Sequence, residues 1–71
     1  MKFKNAICVP REALDWDDLG GVEAARAELA QRLSALGIAA DVEVDGEGLA
    51  IWCEEAALDA AARTIATLPH Q

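Results

Sequence analysis

Asp41, Glu43 and Asp45 occupy alternate positions in the run Ile38-Ala39-Ala40-Asp41-Val42-Glu43-Val44-Asp45, with apolar residues between them. In an extended chain alternate residues stand about 6.7 Å apart on one face, so the three carboxylates form a line of like charge. Such a line can bind cations, or it can offer a basic surface something close to a phosphate backbone, in which phosphates advance about 3.4 Å per step along each strand. Glu47, Glu54 and Glu55 extend the acidity along the chain, and a second group, Glu12, Asp15, Asp17 and Asp18, surrounds Trp16. Tryptophan is enriched among residues that dominate binding energy at interfaces, which makes Trp16 and Trp52 the candidate anchors. The partner-binding set expected from the sequence is therefore Asp41, Glu43, Asp45, Glu47, Trp52, Glu54, Glu55, Asp15, Trp16 and Asp17. The plainer reading of the row is a solvated strand face, or one paired to Lys2 and Lys4. For the second group it is helix capping, with Asp17 or Asp18 as the N-cap.

Other chemistries find little support. Asp41-Val42-Glu43-Val44-Asp45-Gly46 matches the opening of a calcium-binding EF loop, with Gly46 at the sixth position. The twelfth position, however, is Trp52 where a bidentate glutamate belongs, and the flanks read as strand rather than helix. The sole histidine, His70, lies next to the last residue, and the sole serine, Ser34, falls on a helix, so no nucleophile–base pair can be assembled. No enzyme activity, metal or cofactor is expected. Cys8 and Cys53 are 45 positions apart, without a CxxC or Cys/His cluster. Both lie in apolar strand-like runs and are expected to be reduced packing residues.

Length and charge narrow the class. Seventy-one residues make one domain, residues 1–71, and a chain this short buries only about 60% of its unfolded surface. The hydrophobic fraction of 54% includes 16 alanines, so 22 larger or more apolar residues must supply most of the core. The formal charge is −7, of which residues 1–32 carry −1 and residues 33–71 carry −6, with no basic residue between Arg32 and Arg63. A field of nearly one sign favours cationic partners and disfavours direct binding to nucleic acid or to an anionic membrane. No apolar run approaches the roughly 18 residues of a membrane span. The start of the chain, with only Ala6-Ile7-Cys8-Val9 before Pro10, is too short for the apolar region of a signal peptide, so a cytoplasmic location is expected.

The elements that would position these residues follow from periodicity. Residues 2–9 read as a strand with Phe3, Ile7 and Val9 on one face and Lys2, Lys4, Ala6 and Cys8 on the other. Residues 10–21 form a long connection, with room for one helical turn around 11–14. A helix over 21–36 carries Val22, Ala25, Leu29, Leu33 and Leu36 as its apolar stripe and ends at Gly37 in the left-handed conformation. The period then switches to two over 38–45, Asp45-Gly46 marks a hairpin turn, and 49–53 return as a strand with Leu49, Ile51 and Cys53 inward and Ala50 and Trp52 outward. A second helix over about 54–67 opens on Glu54 and Glu55, which suit its positive end. Its stripe is Ala57/Leu58, Ala61, Ile65 and Leu68. Pro69 ends it, and His70 and Gln71 fray.

The order β-α-β-β-α predicts an α+β fold: a three-stranded antiparallel or mixed sheet, order 1-3-2, with both helices on one face. Its crossover is expected to be right-handed. This resembles a ferredoxin-like fold truncated before its last strand, a resemblance of topology that spans nearly the whole chain and leaves function open. The face away from the helices would carry Trp52 and the carboxylate row, unless residues 10–21 cover it through Leu14 or Trp16. By size, charge and architecture the chain is also similar to small acidic phage-encoded inhibitors, including anti-CRISPR proteins that act as DNA mimics. That resemblance implies a protein partner with a basic, nucleic-acid-binding groove, and it transfers no residues. The alternative is a self-associating structural or regulatory domain without catalysis, a homodimer built on the open face, with Trp52 and Ala50 buried, or on the unpaired edge of the first strand.

Overall fold

Alternation of side chains builds the first strand, β1 (Asn5–Val9), in which Val9 is buried and Ile7 half-buried while Ala6 and Cys8 are exposed. The computed structural model describes residues 3–46 and 48–70, so the expectations for Lys2, Glu47 and Gln71 lie outside the described residues. Pro10 ends β1, and its carbonyl accepts a turn hydrogen bond from the amide of Ala13 at 3.1 Å. The connection then forms a short helix, α1 (Trp16–Leu19), later than the turn expected around 11–14. Asp15 caps it, its side chain accepting from the amide of Asp18 at 3.1 Å. The capping role expected of Asp17 or Asp18 therefore belongs to Asp15. It is the residue three before a free amide, the reach that a short carboxylate spans.

The long helix α2 (Val22–Ala35) buries Ala25, Leu29 and Leu33. Each leucine withdrawn from water at such a site contributes on the order of 2 kcal/mol. Leu36, expected in the same stripe, is instead 64% exposed. The helix ends at Ala35, and Leu36 is the capping residue, where the chain has already begun to turn away from the core. Gly37, at φ 75°, completes the stop. The amide of Ile38 donates to the carbonyl of Leu33 at 3.0 Å and that of Gly37 to Ser34 at 2.9 Å, the paired bonds of a Schellman motif. Ile38 then packs back onto the core, as the sequence indicates.

Strands β2 (Ala40–Asp45) and β3 (Gly48–Cys53) form a hairpin, and β3 also pairs with β1, so the sheet is antiparallel throughout with order β1-β3-β2. The topology is the one expected. Gly48 belongs to the strand for a steric reason: a Cβ there would stand 2.1 Å from the carbonyl oxygen of Val9. The expected second helix divides into one turn of 3₁₀ helix, Glu55–Ala57, and α3 (Leu58–Ala66). Neither start has a side-chain cap, since Glu54 and Ala57 stand where a short polar residue would bond a free amide.

Helix α2 lies over β2 and touches β3 and α3, while α3 lies over β1. Between the layers sit Val9, Leu14, Ala25, Leu29, Leu33, Leu49, Ile51, Cys53, Ala61 and Leu68. Among the described residues one buried side chain is polar. Thr64 on α3 satisfies its hydroxyl by donating to the carbonyl of Ala60 at 2.8 Å. The end of the chain does not fray at His70: it forms an isolated antiparallel bridge with Leu14, and the amide of Asp15 donates to the carbonyl of Pro69 at 2.9 Å. These contacts hold residues 10–21 on the helical side, where Leu14 is fully buried and α1 packs against α2.

Candidate binding surface

The face away from the helices is set by strand parity and register. Across it, Ala6, Trp52 and Asp41 form one row and Cys8, Ala50 and Glu43 the next, with Asp45 opposite Gly48 at the turn. Asp41, Glu43 and Asp45 are all exposed. Among the described residues none of the three has an ion-pair partner; Arg26, Arg32 and Arg63 bond instead to Glu23, Glu28 and Asp59 on their own helices. Small, uncharged side chains thus occupy β1, the indole occupies the centre and carboxylates occupy β2. Residues 10–21 do not cover this face, since Leu14 and Trp16 pack with the core on the other side.

Trp52 is only part-exposed, and its indole N–H is closed to solvent without an acceptor among the described residues. Ala50 is 5% exposed within the single chain. It therefore needs no second copy to bury it. Cys8 is exposed on this face, which corrects its expected role as a packing residue: its parity in β1 places it away from the core. Cys53 has the opposite parity and is fully buried, and desolvation pushes its thiol pKa above the ordinary value. The two thiols face opposite sides of the sheet and are free.

The other expected contact residues are dispersed. Glu54 and Glu55 are exposed just beyond β3, at the end of the sheet that holds Asp41 rather than Asp45. Asp15 serves as the α1 cap, and Trp16 is half-buried with its indole N–H bonded to the carbonyl of Arg11, so both are engaged in folding the connection. Asp17 is exposed on α1, on the helical side. The structure thus brings together Asp41, Glu43, Asp45 and Trp52, and places Asp15, Trp16 and Asp17 elsewhere.

A groove of about 480 Å³ runs between α2 and α3, a feature no sequence motif marks; it is lined by Arg32, Ala35, Leu36, Ala60, Arg63, Thr64 and Thr67. The two arginines that bound the base-free stretch of sequence meet along it. Arg32 bonds Glu28 at 3.0 Å and the Thr67 hydroxyl at 2.9 Å, and Arg63 pairs with Asp59 at 2.7 Å. The helical spacing of the Glu28–Arg32 and Asp59–Arg63 pairs signals the outward faces, but not that those faces adjoin. Among the described residues no cluster of three or more His, Cys, Asp or Glu side chains is placed to hold a metal ion, and no helix is long and apolar enough to cross a membrane. Comparison with family models, curated proteins and solved structures returns no match to this chain.

Proposed function

We propose that this protein is a small acidic binding protein that occupies a basic, nucleic-acid-binding groove of a larger protein, and so acts as an inhibitor of the anti-CRISPR, DNA-mimic kind. The observation that carries the reading is the row Asp41, Glu43 and Asp45, exposed along an edge strand and free of ion pairs among the described residues. Carboxylates held on a strand are positioned before binding, so lysines and arginines of a partner meet an ordered array and lose less entropy on contact. Trp52 lies directly across the sheet from Asp41 and supplies apolar area at the margin of the row. Charge on one side of the face and small neutral residues on the other also fix the orientation of a partner.

The test compares the wild type with the triple variant Asp41→Lys, Glu43→Lys, Asp45→Lys as bait in a bacterial lysate, at low and high salt. The expected result is salt-sensitive recovery of a nucleic-acid-binding protein by the wild type, displaced by added duplex DNA and lost in the triple variant. Equal recovery by a folded triple variant overturns the proposal.

A further inference from the structure

The sheet order β1-β3-β2 leaves two strand edges, and they differ in charge. A second β2 laid beside the first would set the row Asp41, Glu43 and Asp45 against the same row of the copy at about 5 Å, which is repulsive. The β1 edge carries Asn5-Ala6-Ile7-Cys8-Val9 with no charge. Exposed edges are normally guarded by charge, proline or a covering segment. Here Pro10 guards only the end of the strand. Among the described residues the one pairing outside the sheet, Leu14 with His70, lies elsewhere.

Register fixes which backbone groups are free. Asp45 pairs with Gly48 at the hairpin end, two residues of sequence lying between them, and in an antiparallel ladder hydrogen-bonded pairs alternate from there. Ala50 and Trp52 therefore bond across to β2, while Leu49, Ile51 and Cys53 bond to Val9, Ile7 and Asn5. The N–H and C=O of Ala6 and Cys8 consequently point outward from β1. No hydrogen bond among the described residues reaches them from another segment.

We infer that this edge pairs with β1 of a second copy, antiparallel about a two-fold axis at Ile7, to give a continuous six-stranded sheet. In that register all five residues of β1 are matched. Ala6 and the partner's Cys8 exchange both backbone bonds, and Ile7 meets the partner's Ile7 on the helix-covered face. The two acidic β2 strands fall at opposite ends, five strand spacings or about 24 Å apart, which is beyond two Debye lengths at physiological salt. The carboxylates of β2 therefore do not oppose this pairing, whereas they do oppose pairing through β2. The inference is independent of the acidic-row proposal, because both rows remain exposed in such a dimer.

Sedimentation equilibrium across a concentration series tests it, with amide hydrogen exchange measured on the same samples. Ala6→Pro removes one outward N–H and leaves the β3 ladder intact, a substitution that edge strands tolerate. The expected result is that the wild type reaches twice the chain mass, with the amides of Ala6 and Cys8 gaining protection as it does. Ala6→Pro stays at the chain mass with an unchanged circular dichroism spectrum, and Glu43→Lys still dimerises. A wild type that remains monomeric at its highest soluble concentration overturns the inference. So does a dimer in which the Ala6 and Cys8 amides exchange freely, since it would use another surface; this exchange result decides the matter even if Ala6→Pro fails to fold.

Discussion

Trp52 on the central strand stands directly opposite Asp41 on the edge strand, yet its indole N–H is closed to water and meets no acceptor among the described residues. The Asp41 carboxylate is exposed, whereas Trp52 is part-buried. A buried donor without an acceptor costs roughly 1–3 kcal/mol. Trp52→Phe removes that donor and keeps most of the apolar contact. The variant is expected to be as stable as the wild type or up to about 1 kcal/mol more stable, measured by urea denaturation with Trp16 as the fluorescent reporter. A loss of stability beyond that size would show that the N–H is bonded to an acceptor such as Asp41.

Two glycines of the hairpin are expected to respond differently to alanine. At Gly48 the added Cβ would meet the Val9 carbonyl oxygen at 2.1 Å, a contact between two backbones of one sheet that no side-chain rotation relieves. Gly48→Ala should cost about 3 kcal/mol or more, enough to unfold much of a small domain. Gly46, at φ 64°, has open space around it, so Gly46→Ala pays only the left-handed backbone penalty of about 1–2 kcal/mol. Thermal denaturation of the two variants gives the order directly; equal losses would place the strain in the turn rather than between the strands.

The elements most legible in the sequence were those whose signals are local. Period-two alternation placed Ile7 and Val9 inward and Cys8 outward, and Gly37-Ile38 announced the Schellman stop with its two bonds to Ser34 and Leu33. Topology followed, because one helical crossover and one tight hairpin leave few ways to order three strands. Less legible were features decided by contacts distant in sequence. Periodicity extends the apolar stripe through Leu36, but it cannot say where a helix leaves the core, and Leu36 is 64% exposed. The fixed position of His70 depends on Leu14, 56 residues earlier, which no local pattern encodes. The same holds for the candidate site. Asp41, Glu43 and Asp45 share a strand and were found together, while Asp15 and Trp16 resembled contact residues but are engaged by Asp18 and Arg11. The meeting of Arg32 and Arg63 required the packing of α2 on α3.

The two cysteines give a pH-dependent prediction with a defined sign. Burial raises the Cys53 thiol pKa above its ordinary value of 9.0, so the folded chain holds that proton more tightly than the unfolded chain does. The associated stability is fully present below the ordinary thiol pKa. As pH rises through that value the unfolded state loses its proton first, binds fewer protons than the folded state, and is favoured progressively. Wild-type stability should therefore decline on the alkaline side more steeply than that of Cys53→Ala, measured by urea denaturation at a series of pH values. Cys8, exposed on the open face, should react with a thiol reagent in the folded state near neutral pH, whereas Cys53 should react only on unfolding. Parallel alkaline limbs in the two proteins, or equal labelling of both thiols under native conditions, would mean that β3 opens readily enough to expose Cys53 to water.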